Sequence, residues 1–242
     1  MEHDRAIVLR LTEYSESSQI ATMYARSAGK LRLLAKGAKR STKARFSPGM
    51  DLLELGDVVY IRPRGDTQLG TLAEWRQLSL FLDLRTSLRN LQAATYVIES
   101  LNVLTEDSDP HPDLFDATVQ TLNRFAYSDD PLAVVTQFQR TLLHAVGFDP
   151  NFSTCVRCGA RRTAGRSGRF AFAVGGLICR NCIRPSDRSV LVSANLLDRQ
   201  LAGSAEWFPI LDAYVTFIAE RAIRSASAMQ PPYQPLSTDG NP

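Results

Sequence analysis

The sequence predicts an α+β protein: a small five-stranded β-barrel at the N-terminus, then an α-helical domain into which a four-cysteine module is inserted. Three observations carry this reading. β-rich runs with a period of two occupy the first 80 residues, the apolar period lengthens to that of a helix from about Leu80, and all four cysteines fall in two C-x2-C pairs.

The barrel strands are expected at Ala6–Leu11, Gln19–Arg26, Lys30–Ala35, Val58–Arg62 and Thr71–Arg76. Ala28-Gly29 suits a tight hairpin between the second and third. Five short strands in about 75 residues fit a small barrel. The longest connection, Lys36 to Asp51, joins the third strand to the fourth.

In the helical part, Leu84, Leu88, Leu91, Thr95 and Ile98 share one helix face. Pro112 suits a first helical position, and Asp113 and Asp116 favour the positive N-terminal end of a helix whose apolar residues are Phe115, Val119, Leu122 and Phe125. Asp130 caps, Pro131 starts and Gly147 stops a third helix that buries Val134, Val135, Phe138, Leu142 and Ala145. One further helix begins near Ser193. Another runs from about Trp207 to Ala226, with Leu211, Tyr214, Val215, Ile218 and Ala222 inward. The expected boundaries are 1–79 for the barrel, 80–150 for a helical bundle, 151–188 for the cysteine module and 189–228 for the remaining helices. The Pro-rich polar tail, 229–242, reads as disordered by composition.

The cysteines are Cys155-Val-Arg-Cys158 and Cys179-Arg-Asn-Cys182, twenty residues apart. Each C-x2-C knuckle aims two thiolates at one point, and two knuckles complete a tetrahedron of sulfurs for one structural Zn2+ per chain. With no coordination position left open, that ion folds the segment rather than catalyses. Phe170 to Val174, then Gly175-Gly176, then Leu177-Ile178 reads as a hairpin delivering the second knuckle. Disulfides do not suit a cytoplasmic chain, and a redox C-x-x-C sits beside a βαβ unit that is not seen here.

The net charge of +3 conceals a sorted distribution. From Ser17 to Met50 eight basic residues stand without one acid; from Asp51 to Thr154 seven basic residues face fifteen acidic ones; from Cys155 to Arg188 eight arginines accompany a single aspartate. Charge sorted in this way marks separate surfaces with separate partners. The first segment supplies Lys30, Arg32, Lys36, Lys39, Arg40, Lys43 and Arg45, with Phe46 beside them as an aromatic for base stacking; Tyr24 and Tyr60 are further stacking candidates. A barrel strand followed by such a loop makes a groove for a phosphate backbone. A second basic patch is expected around the cysteines, from Arg157, Arg161, Arg162, Arg166, Arg169, Arg180 and Arg184.

Other classes are poorly supported. No apolar run approaches the roughly 20 residues of a spanning helix, and the first residues carry acids where a signal peptide is basic, so no membrane association and a cytoplasmic location are expected. His3, His111 and His144 have no nucleophile beside them in sequence, and no G-x-x-x-x-G-K-[ST] occurs, so no enzymatic activity and no small-molecule substrate are expected. Asp107, Asp109 and Asp113 form an acidic cluster of the kind that binds Mg2+ but is usually an exposed loop. An RNA-binding or ribosome-associated zinc protein, a metal-dependent nuclease and a scaffold for acidic tails remain as alternatives.

Leu33-Leu34-Ala35-Lys36-Gly37-Ala38-Lys39-Arg40 after Gly29-Lys30, together with Cys155-x-x-Cys158-Gly159 and Phe170 to Cys179-x-x-Cys182, resembles the bacterial recombination mediator RecO family. The Tyr14 to Ser18 turn is also similar, and the likeness spans roughly residues 5 to 225. The resemblance implies an OB-fold barrel, a helical domain carrying the zinc, and a non-enzymatic role in recombinational DNA repair. It implies binding of single- and double-stranded DNA, annealing of complementary strands, and action with RecR to load RecA onto single strands coated by single-stranded-DNA-binding protein (SSB). RecR and the acidic C-terminal tail of SSB are the implied protein partners, and the nucleoid the implied place of action during repair.

Overall fold

The computed structural model describes residues 1–38, 50–63, 68–199 and 204–229. The expectations for Lys39 to Phe46 and for the tail beyond Met229 lie outside these residues. The chain divides into two compact units, Met1–Tyr127 and Ser128–Pro242.

In the first unit, β1 (Glu2–Glu13), β2 (Gln19–Ala25), β3 (Gly29–Ala35), β4 (Leu55–Ile61) and β5 (Gly70–Ser79) close into a barrel of order β1-β2-β3-β5-β4. All pairings are antiparallel except β3 with β5. That order is the five-stranded Greek-key arrangement of an OB-like barrel. Alternation along each strand sends Val8, Met23, Leu33, Val58, Tyr60, Leu72 and Trp75 into the interior, all at or near complete burial. One irregularity changes what the outer face presents. The β1–β2 register shifts between Val8 and Arg10, so Val8 pairs Met23 while Arg10 pairs Thr22. Leu9 is the extra residue of a bulge, and beyond it the strand's facing is reversed.

Helices α1 (Leu82–Arg85), α2 (Leu88–Leu104) and α3 (Pro112–Arg124) complete this unit. The single helix face expected from Leu84 to Ile98 is corrected: the chain breaks at Thr86-Ser87, where the Ser87 hydroxyl accepts from Asn90 N at 3.4 Å and starts α2 afresh. The break rotates Leu88 out, and it is 70% exposed, whereas Leu84 and Ile98 remain buried. The far end of α2 is closed by Lys30. Its ammonium donates to the carbonyls of Asn102 at 3.0 Å and Thr105 at 2.5 Å and lies 3.5 Å from Asp107. A cation at a helix C-terminus meets the unpaired carbonyls there.

The second unit opens with α4 (Pro131–Ala145), capped by Asp130, whose carboxylate accepts from Ala133 N at 3.1 Å. The sheet β6 (Gly168–Ala171), β7 (Gly176–Ile178) and β8 (Ser189–Val192) has order β7-β6-β8 and carries the second cysteine pair at the end of β7. Then follow α5 (Ala194–Asp198), with Ser193 as its cap, and α6 (Phe208–Ala219). The expected continuation of α6 to Ala226 is corrected. Glu220 turns left-handed at φ 53° and ends the helix, leaving Ala222 exposed and Ile223 buried instead. Phe170 on β6 holds the sheet to the helices: its ring stacks on Phe152 at 4.9 Å and meets Tyr214 of α6 edge-on at 5.1 Å, while Phe152 also contacts Trp207 at 4.5 Å. Each such pair is worth roughly 0.5–1.5 kcal/mol beyond the area it buries. No helix among the described residues is long and apolar enough to cross a membrane.

Candidate metal centre and nucleic-acid interface

The two knuckles converge. Cys155, Cys158, Cys179 and Cys182 place their sulfurs within 4.8 Å of one another, with Cys158 and Cys179 3.8 Å apart. Four sulfurs about 2.3 Å from one ion in a tetrahedron are separated by about 3.8 Å, so the donor set fits a four-thiolate metal centre. Each knuckle is a tight turn: Gly159 N donates to the Cys155 carbonyl at 2.8 Å, and Cys182 N to the Cys179 carbonyl at 3.0 Å. Cys179 N also donates to the Cys155 sulfur at 3.4 Å. As bare thiols Cys155 and Cys182 are unequal. Burial raises Cys155, but the backbone N–H groups of Cys179, Arg157 and Cys158 outweigh it and bring the thiol down to about 6. Cys182 is pushed up to about 12, first by the hydrogen bond it shares with Cys179 and then by Cys158. A ready thiolate at Cys155 beside a reluctant thiol at Cys182 is the state that a bound cation resolves by neutralising both.

The arginines around the centre separate into groups. Arg157 donates to both oxygens of Asp187, at 2.8 and 2.6 Å, and to the Cys182 carbonyl at 2.5 Å. It thereby ties the first knuckle to the chain leaving the second. Arg162 pairs with Asp198 at 2.5 Å and donates to the carbonyls of Thr163 and Arg166. Arg169 is half-buried, while Arg161, Arg166, Arg180 and Arg184 are exposed and make no ion pair among the described residues.

On the barrel, the basic stretch divides in the same way. Arg26 forks onto Asp116 with bonds of 2.9 and 2.8 Å, and Lys30 closes α2 with only 13% of its side chain exposed. Arg32 and Lys36 are exposed and free of ion pairs among the described residues. Register adds a residue that the sequence reading omitted. Thr22 pairs with Arg10 on one side and Arg32 on the other, so the three form one row across β1, β2 and β3 on the outer face. Arg10 and Arg32, two strands apart, stand about 10 Å from each other. Tyr24 and Tyr60 are 0% and 1% exposed, so their expected stacking role is corrected to packing. Lys39, Arg40, Lys43, Arg45 and Phe46 lie outside the described residues.

The acidic residues do not converge on a site. Asp107 faces Lys30, Asp109 pairs with His111 at 2.9 Å, and the four cysteines are the metal-binding cluster among the described residues.

Comparison with known proteins matches the family model described as recombination protein O N terminal over residues 1–81 and that described as recombination protein O C terminal over residues 85–206. The chain belongs to the RecO family. Among its relatives, DNA repair protein RecO of Rhodopirellula baltica is 35% identical over 210 residues, covering 84% of this chain and 76% of that one. DNA repair protein RecO of Halalkalibacterium halodurans is 30% identical over 190 residues, 78% of this chain and 72% of its own. That of Listeria monocytogenes serotype 4b is 33% identical over 184 residues, 75% and 69%. The RecO N-terminal match covers the OB-like barrel with its Arg10–Thr22–Arg32 row, and the C-terminal match covers the four-cysteine centre.

Proposed function

We propose that this RecO-family chain is a non-enzymatic DNA-repair mediator that binds single- and double-stranded DNA and anneals complementary strands. In the same reading it acts with RecR to load RecA onto strands coated by SSB, whose acidic tail it recognises, and it works in the cytoplasm at the nucleoid. The observation that carries the reading is the exposed, unneutralised row on the outer face of a RecO-type barrel: Arg10, Arg32 and, just beyond β3, Lys36. The basic residues Lys39, Arg40, Lys43 and Arg45, with Phe46, follow Lys36 in the sequence. Lys30 is left out of it, because its charge is engaged by α2.

Annealing brings two polyanions together, and cations that displace condensed counterions from each strand lower the barrier. The arginines of the cysteine module supply a second basic surface for this purpose. The ion we assign to Cys155, Cys158, Cys179 and Cys182 is structural zinc, one per chain, because four thiolates leave it no open position.

The test is annealing of complementary oligonucleotides, bare and SSB-coated, by the wild type and by Arg10→Ala/Arg32→Ala/Lys36→Ala. The wild type accelerates annealing, and the variant loses most of that acceleration. Cleavage of labelled DNA in Mg2+, or a clear preference for RNA over matched DNA, overturns the reading.

A further inference from the structure

Eight arginines lie between Cys155 and Arg188, and the structure distinguishes those that hold the module from those that are available. Arg157 is fixed on Asp187, Arg162 on Asp198, and Arg188 lies over the Phe217 ring at 5.8 Å. Arg161, Arg166 and Arg180 line one open cavity of about 420 Å3 beside the metal centre, with the engaged Arg162 as a fourth arginine in its wall. Among the described residues no carboxylate lines it. Asp198, which meets the lining residues Arg162 and Gly165, is engaged by the Arg162 guanidinium and by Gly165 N at 2.8 Å.

The three guanidiniums are carried on pinned backbone rather than on a loose coat. Arg161 sits in a bridge with Thr154, its neighbour Ala160 accepting from Cys155 N at 2.8 Å. Arg166 closes a turn, its N–H on the Thr163 carbonyl at 3.3 Å and its own carbonyl accepting from Arg162 at 2.9 Å. Arg180 stands between the cysteines of the second knuckle. We propose that Arg161, Arg166 and Arg180 form a phosphate-binding cleft that holds the backbone of a nucleic-acid strand against the four-cysteine module.

A divalent ion on four thiolates leaves two negative charges, and three guanidiniums exceed them. Guanidinium forks match phosphate oxygens in pairs, and the hydroxyls of Thr163 and Ser167 on the same wall add neutral donors. Among the described residues no aromatic side chain lines the cavity, so they offer no platform for bases or for an aromatic peptide side chain. Phosphate contact without base readout is sequence-independent, which suits a surface that must accept any strand. The inference rests on the reading of the chain as a DNA-binding protein.

The experiment compares wild type, Arg161→Ala/Arg166→Ala/Arg180→Ala and Arg32→Ala/Lys36→Ala for binding to labelled oligothymidylate over a range of salt, with metal content and thermal melting as controls of folding. Loss of three phosphate contacts reduces the slope of log affinity against log salt by about 2, at about 0.7 per contact on a single strand, and weakens binding at low salt by roughly tenfold or more. If the triple variant loses metal, Arg166→Ala, on the turn away from the knuckles, carries the test with a slope reduced by about 0.7. Wild-type slope and affinity in a folded cleft variant, with loss in the barrel variant, overturns the cleft and leaves the DNA-binding reading standing. No binding by the wild type removes both. Loss of polyglutamate binding with unchanged oligothymidylate binding assigns the cleft to acidic peptides and overturns the proposal.

Discussion

Arg157 in the first cysteine knuckle grips Asp187, five residues past the last cysteine, through two bonds of 2.8 and 2.6 Å. The pair closes the metal module from outside, with a third bond from Arg157 to the Cys182 carbonyl. Groups that orient ligands in this way affect metal affinity by about 10–100-fold. Asp187→Asn and Arg157→Ala are therefore expected to release metal to a competing chelator at about tenfold lower chelator activity than wild type. Arg157 first, then Arg184 N–H, holds the Asp187 carboxyl below the usual aspartate range. The pair is thus complete above that range and is lost only as pH falls through the lowered value. Metal release at pH well above about 4 reports the thiolates and not this pair. Equal chelator resistance in all three proteins would remove Arg157 from the support of the centre.

Lys30, Arg32 and Lys36 fall within seven residues of sequence and have different work. Lys30 closes α2, whereas Arg32 and Lys36 are free on the surface. Lys30→Ala is expected to lower stability by about 1–2 kcal/mol, the range for a partly buried cation at a helix C-terminus. Arg32→Ala with Lys36→Ala should leave stability within about 0.5 kcal/mol and reduce the salt slope of single-strand binding by about 1.4. Urea titration and salt-dependent anisotropy separate the two effects. A Lys30→Ala protein of full stability but weakened DNA binding would reverse this division of roles.

The contrast shows what the sequence made legible and what it did not. The cysteine spacing pointed to the metal centre because C-x2-C is a local turn, and local geometry is written in local sequence. The strands were legible from their period of two, and Asp130-Pro131 marked the start of α4 by capping chemistry. Arg10 was not legible, because strict alternation from Val8 puts it inside the barrel; only the bulge at Leu9 turns it out to join Arg32. Nor was Lys30, since its partners at Asn102, Thr105 and Asp107 lie more than seventy residues away. Tyr24 and Tyr60 had the composition of stacking residues, and tertiary burial decided otherwise.

Glu54 is 2% exposed at the entry to β4 and accepts from Gln77 at 2.7 Å. Burial raises its carboxyl above the ordinary glutamate value, against the hydrogen bonds that oppose it. The fold therefore favours the protonated form. Glu54 contributes stability below the unfolded value near 4.3, and that contribution is lost as pH rises through the higher folded value. Glu54→Gln is neutral throughout. Its melting temperature relative to wild type is expected to rise from pH 4 to pH 7. A difference that stays flat or falls over that interval would show that burial does not raise the Glu54 carboxyl.

Gly175 and Gly147 both have positive φ, 61° and 81°, yet only one is crowded. A Cβ at Gly175 would lie 2.5 Å from the Tyr214 hydroxyl oxygen, while one at Gly147, after α4, would meet nothing within 4 Å. Gly147→Ala therefore bears only the left-handed backbone cost of about 1–2 kcal/mol. Gly175→Ala bears the same cost and must also displace Tyr214, which is 2% exposed and packed edge-on to Phe170. Moving that ring disturbs the aromatic cluster that joins the metal-bearing sheet to α6, so its total loss should exceed that of Gly147→Ala by about 1–3 kcal/mol, the usual cost of overpacking. Urea titrations of the metal-loaded proteins measure the difference directly. Tyr214→Phe, which removes the atom the new methyl would strike, should recover part of the loss in Gly175→Ala and none in Gly147→Ala. Equal losses in the two alanine variants, or no recovery with Tyr214→Phe, would mean that the hairpin's glycine answers to backbone conformation alone and not to the tyrosine behind it.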